Sequence, residues 1–188
     1  MKRFTIAATM TMLLASTTLV CADNEKSGLQ VGERIGAFYV TKLAGAEDDG
    51  VAVGKNLCYR CKNGGRPQVM VFTRSSDPKV IELVKQLDAA IPQNSDKQLC
   101  AFVNYLGESK AAANSDAEKL ADTSDAKNVP FVLPNEFENG PEDYGINPDA
   151  DVTVILAQGG QVKANHAAGT AKELQVDAVI ADLSKILE

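Results

Sequence analysis

Gln68-Val69-Met70-Val71-Phe72-Thr73, running on into Arg74-Ser75-Ser76-Asp77-Pro78, is the stretch on which the fold turns. An uncharged, β-branched-rich run directly after Pro67 suits a central strand buried on both faces. Asp77 can cap a helix and Pro78 suits its first position. Val80, Val84, Leu87 and Ile91 then recur at helical spacing on one face, and Pro92 is expected to stop the helix. Residues 99–106 form a second apolar run, ended by Gly107. Strand, helix and strand together make a β-α-β unit.

Upstream, residues 37–43 are rich in β-formers and lead into an acidic turn, Glu47-Asp48-Asp49-Gly50, so a hairpin is expected with its return strand near residues 51–53. Downstream, residues 109–127 are Ala- and charge-rich, and Ser115 with Glu118 has capping-box spacing. Residues 129–133 read as a short strand between Pro130 and Pro134, which predicts a peripheral position. Residues 151–157 are a strong strand, and Gln158-Gly159-Gly160-Gln161 turns it into a partner over residues 162–166. Beyond Thr170, with Glu173 three residues on, the apolar positions from Leu174 to Leu187 predict one C-terminal amphipathic helix. The order implies an α/β sandwich with a mixed central sheet flanked by helices and an N-terminal β-hairpin.

The chain has 188 residues, 19 basic against 25 acidic, and a net charge of -6, with no Lys/Arg cluster beyond pairs. Nucleic acid and anionic membrane surfaces need a positive face, so neither is an expected partner. Residues 1–22 carry Lys2 and Arg3, an apolar run and small residues before Asp23, the pattern of a signal peptide. A lipoprotein signal centred on Cys21 is the rival, disfavoured by branched Val20 in front of it. The apolar run is shorter than the ~20 residues of a spanning helix, so no integral membrane segment is expected after cleavage. Losing Lys2 and Arg3 moves the net charge to -8 and predicts an exported, periplasmic or secreted protein. Residues 23–30 read as a flexible tether and residues 31–188 as the domain. Cys58, Cys61 and Cys100 then enter a compartment where disulfides persist, and their odd number leaves one thiol over.

This order of elements resembles the thioredoxin-like superfamily, and within it the redoxin branch that includes the alkyl hydroperoxide reductase and thiol-specific antioxidant (peroxiredoxin-like) proteins. The resemblance spans residues 31–187. It is carried by Val31-Gly32-Glu33-Arg34-Ile35-Gly36-Ala37-Phe38, by Gln68 to Thr73 running into a helix, by Val129-Pro130-Phe131-Val132-Leu133, by Tyr144-Gly145-Ile146, and by the hairpin from Val152 to Val162. It implies a nucleophilic cysteine just after the first central strand, at the start of the following helix, where free N–H groups and the helix dipole stabilise a thiolate. Here that stretch, residues 72–78, holds no cysteine, and Pro148 stands three residues ahead of Asp151 rather than against the closing strand. Peroxidase chemistry of the family's usual kind is therefore not expected, and neither is ordinary thioredoxin-type catalysis.

Cys58-Tyr59-Arg60-Cys61 is the one motif with chemistry in it. Haem attachment needs a histidine where Lys62 stands. Zinc needs four ligands, and only Cys100 and His166 remain to complete a set, so no metal and no cofactor is expected. A redox-active dithiol is the sharper reading, because Arg60 and Lys62 favour thiolate. Against it, Gly64-Gly65-Arg66-Pro67 follows, so no helix is expected to begin at the motif, and the motif lies about one strand length (~17–20 Å) from the site the resemblance implies. A structural disulfide pinning a glycine-rich loop is the blander reading and the preferred one.

Cys100 reads as an inert buried thiol with a resolving role as its rival, and His166 as an edge residue. Arg74, Ser75 and Ser76 could hold a small anion or peptide at the helix start, but a plain capping loop is the preferred reading. Glu136, Glu138, Glu142, Asp143, Asp149 and Asp151 read as a solvated acidic loop. The expectation is an exported thioredoxin-like domain, a non-peroxidase binding or structural module with a Cys58–Cys61 disulfide and an unidentified protein or small-molecule partner. The alternative is a thiol-disulfide oxidoreductase working through the same pair.

Overall fold

A computed structural model describes residues 26–188, so the signal-peptide expectation over residues 1–22 lies outside the described residues. The chain builds β1 (Val40–Ala44), β2 (Asn56–Leu57), α1 (Tyr59–Asn63), β3 (Gln68–Thr73), α2 (Pro78–Gln93), β4 (Cys100–Tyr105), α3 (Lys110–Ser124), β5 (Phe131–Pro134), β6 (Val152–Gln158), β7 (Gln161–Ala168), α4 (Val176–Ala181) and α5 (Ser184–Leu187). One seven-stranded sheet has the order β2-β1-β5-β4-β3-β6-β7. β4 runs parallel to both β3 and β5, and the other neighbours are antiparallel, so the sheet is mixed as expected.

All six residues of β3 are buried, and period-2 alternation splits them between two cores. Val69 and Val71 join a core with Val80, Leu83, Val84 and Leu87 of α2, and Ala113, Ala117 and Leu120 of α3. Met70 and Phe72 face a second core with Phe38, Tyr59, Phe102 and Tyr144. Helices α2 to α5 thus cover one face of the sheet, and the N-terminal segment, α1 and the loop before β6 cover the other. Gly159 (φ 62°) and Gly160 (φ 78°) supply the positive φ that the tight β6–β7 turn demands.

Several expectations are corrected. Pro92 lies inside α2, which runs to Gln93. Proline has no N–H for the Asp88 carbonyl, and the Asn128 side chain donates to that carbonyl instead, at 3.4 Å. Ser109, not Ser115, caps α3, accepting from the Ala112 N–H at 3.3 Å. β5 is an interior strand between β1 and β4. Its prolines stand just before it and at its last residue, where a missing N–H leaves no gap in the ladder. The C-terminal apolar segment is a 3₁₀ turn at Ala171–Glu173 followed by two short helices. Buried Leu174 and Val176 are two residues apart, a spacing that one helical face cannot bury.

The hairpin return is at Asn56–Leu57 instead of residues 51–53, and Val53 is exposed. Lys42 explains the delay. It points inward from β1, is only 1% exposed, and a buried ammonium must find acceptors. The loop wraps it: Nζ donates to the Ala46 carbonyl, the Val51 carbonyl and Asp49 Oδ1, each at 2.8 Å. The tether reading also fails over its described part. The Asn165 side chain donates to the carbonyls of Ser27 and Leu29, and the Ser27 and Thr153 hydroxyls are 2.6 Å apart. This segment is fastened to β6 and β7 by its main chain and one hydroxyl, which composition does not reveal.

Candidate functional site

β3 has a different polar cluster at each end. At its N-terminal end, Cys58 and Cys61 are joined, S–S 2.04 Å with Cα atoms 5.1 Å apart. A helix does begin here, against the sequence expectation. Cys58 is extended (φ -100°, ψ 100°) and caps the one-turn α1, its Sγ accepting from the Cys61 N–H at 3.0 Å. Gly64 ends the turn at φ 62°, donating to the Arg60 and Cys61 carbonyls. The Cys-x-x-Cys spacing is itself one turn long, and such a turn is too short to show periodicity in a sequence.

The two sulfurs sit in unlike surroundings. Cys58 is 8% exposed, between Leu57 and the buried Tyr59, whereas Cys61 is exposed. Tyr59 anchors the turn: its ring stacks on Phe102 at 5.7 Å, and its hydroxyl donates to Asp49 Oδ2 at 2.5 Å. Asp49 also accepts from Lys42 Nζ and the Val51 N–H. Burial works to raise the Asp49 carboxyl, but the hydrogen bonds from Lys42, Tyr59 and Val51 outweigh it and hold it below its ordinary value. Burial first, then the bond to Asp49 and its charge, push the Tyr59 phenol far upward, so it remains a donor. Lys42, Asp49 and Tyr59 are site-supporting residues that sequence reasoning missed. The available signal was a lysine at an inward strand position next to an acidic turn.

Behind the turn, Arg66 donates to the carbonyls of Asn63 and Lys62 and to Asn63 Oδ1. The Gly159 N–H reaches the Gly65 carbonyl at 3.0 Å, so the motif sits beside the β6–β7 turn. Arg60 packs close to Gly160, and its buried Nε has no hydrogen-bond partner among the described residues. Cys100, opposite Gln68 on β4, remains a free thiol, its Sγ donating to the Pro67 carbonyl at 3.2 Å. Burial pushes it up to about 11, against the opposing pull of Arg66 and Lys62. Among the described residues, no group of three or more His, Cys, Asp or Glu is placed to hold a metal ion. His166 lies on β7, Nε2 3.1 Å from Asp182 Oδ2, where it ties down the C-terminal helices.

At the C-terminal end of β3, Arg74 lines a cleft of about 760 Å³ with Tyr105, Glu108, Asp116 and Pro148. Its guanidinium donates to the Glu138 carbonyl and to Asn139 Oδ1. Ser75 is used locally, its Oγ accepting from the Asp77 N–H at 3.1 Å, and Ser76 Oγ lies 3.3 Å from the Tyr105 hydroxyl. Asp77 Oδ1 accepts from the Lys79 N–H at 3.0 Å. A carboxylate of the chain itself therefore occupies the start of α2. Glu136, Glu138, Glu142, Asp143 and Asp149 are exposed, and Asp151 accepts from the Ala171 N–H at 2.9 Å.

No protein-family model matches the chain, and no curated protein matches it. Solved structures do. A Chlorobium tepidum protein assigned as the thiol:disulfide interchange protein DsbE superposes with a TM-score of 0.62 at 14% identity, covering 85% of this chain and 99% of that one. AhpC of Mycobacterium tuberculosis gives 0.60 at 14% identity, again covering 85% and 99%. The exposed lipoprotein thioredoxin Etrx1 of Streptococcus pneumoniae gives 0.52 at 16% identity, covering 80% and 99%. Identities this low speak to architecture, and that architecture is common to all three. The chain shares the thioredoxin-like fold of these structures.

Proposed function

We propose that the chain is an exported thiol-disulfide oxidoreductase that works through Cys58 and Cys61 and is not a peroxidase. One observation carries the reading: the bridge closes a helical turn with Cys61 at the surface, where another thiol can meet it. The helix start at Cys58 removes one of the two sequence arguments against redox chemistry, while the motif still lies at the opposite end of β3 from the site the resemblance implies. Arg60 and Lys62, both within the motif's turn, favour thiolate over thiol once the bridge opens. Fold neighbours named as a disulfide interchange protein and a thioredoxin agree with such chemistry. Against peroxidase chemistry stands the loop from Arg74 to Asp77, which has no thiol and whose helix start is filled by Asp77.

The chemistry requires only thiols. A substrate thiolate displaces one sulfur of the bridge, and a second thiolate resolves the mixed disulfide, leaving a reduced pair and an oxidised substrate. The test is the reduction of insulin by dithiothreitol at pH 7. Acceleration by the protein, lost in Cys58→Ser and in Cys61→Ser and retained in Cys100→Ser, is the expected result. No acceleration by the parent, with only lowered stability in the two variants, sinks this reading and leaves the bridge as a pin for the loop between β2 and β3.

A further inference from the structure

We infer that Cys61, the second cysteine of the motif, is the sulfur that meets the substrate, and that Cys58 is the shielded partner that leaves and resolves. The inference rests on the redox reading above and adds a direction to it. Displacement at a disulfide proceeds along the S–S axis, so the attacked sulfur must be reachable from the side away from its partner. Cys58 is 8% exposed and is flanked in the chain by half-buried Leu57 and by Tyr59, which is 3% exposed and fixed by Phe102 and Asp49. Cys61, one turn further on, is exposed, as is its neighbour Lys62.

The leaving side has matching chemistry. When an incoming thiolate bonds to Cys61 Sγ, the S–S bond breaks and its electron pair stays on Cys58 Sγ. That sulfur already accepts the Cys61 N–H at 3.0 Å, a bond that strengthens once the acceptor is charged. A second substrate thiolate then attacks the substrate sulfur of the mixed disulfide, expelling Cys61 as thiolate. Two substrate thiols become one disulfide, and the protein's bridge takes up the two electrons. In the reverse direction, Cys61 thiolate opens a substrate disulfide, and Cys58 closes on Cys61 to release the second substrate thiol. Cys61 and Lys62 are both exposed, so the encounter takes place at the surface of the turn.

The experiment needs no variant. The full chain is reduced, exposed briefly to limiting iodoacetamide at pH 8, and the label on each cysteine is measured by peptide mass spectrometry. Cys61 is expected to label roughly tenfold faster than Cys58. In parallel, the oxidised chain is mixed with glutathione and quenched in acid, and the glutathione adduct is expected on Cys61. Equal labelling, faster labelling of Cys58, or an adduct on Cys58 overturns the assignment. Failure of the redox reading has a different signature, the absence of insulin reduction whichever sulfur labels first.

Discussion

The two ends of β3 carry the same kind of local design and different chemistry. At the C-terminal end, Asp77 caps a sixteen-residue helix with its own carboxylate. At the N-terminal end, Cys58 caps a five-residue turn with a sulfur that is covalently bound to Cys61. The fold resemblance directs attention to the first place, and the thiols are at the second. The difference shows that a shared backbone does not fix where its chemistry sits, because a site follows its side chains. Here a longer helix is occupied by a structural anion, and a single turn, held by Tyr59 and Asp49, carries the disulfide.

The sharpest way to break this comparison is at the sulfurs. Cys58→Ser and Cys61→Ser are each expected to lower insulin reduction by about 100-fold or more, because the disulfide is the only electron carrier in the proposed cycle. Asp77→Ala, at the other end, is expected to leave the rate unchanged. A matching loss in Asp77→Ala would mean that the two ends act together.

The next largest effect is on stability. Asp49→Ala leaves the Lys42 ammonium buried with two carbonyls and no counter-charge, and is expected to cost about 3 kcal/mol, read from the urea midpoint. The pH dependence follows from the same carboxylate. Its value in the fold lies below the ordinary 3.8, so its stabilising contribution is complete above that range and is lost as pH falls through the lower folded value. The parent should therefore lose stability below about pH 4 more steeply than Asp49→Asn, as measured by urea titration at each pH.

Much of the fold was legible because its signals are local. The β3 run, the Asp77-Pro78 helix start and the Gly159-Gly160 turn each depend on a few adjacent residues, and the structure has all three where the sequence places them. The hairpin return at Asn56 was hidden because it is set by where Lys42 finds acceptors across eleven residues of loop, from Gly45 to Lys55. The interior position of β5 depends on which strands it joins, and flanking prolines say nothing of that. At the site, spacing made the Cys58–Cys61 pairing readable. The unequal exposure of the two sulfurs was not, because it depends on Tyr59 docking against Phe102 and Asp49, residues distant in the chain.

Smaller effects sharpen the account further. Asp77→Ala removes a helix cap and is expected to cost about 1 kcal/mol, read as a shift in thermal midpoint. Cys100, pushed up to about 11 by burial, is only about one part in a thousand thiolate at pH 8. It should label with iodoacetamide far more slowly than Cys61, and Cys100→Ser should preserve insulin reduction. Rapid labelling of Cys100 would mean that the start of β4 opens readily in solution.

The most direct test of the central claim is the reduction potential of the Cys58/Cys61 pair, measured by equilibrating the chain against defined dithiothreitol ratios and counting free thiols. A redox-active pair predicts a potential above about -300 mV, and a value below that identifies a bridge made to stay closed and contradicts the account.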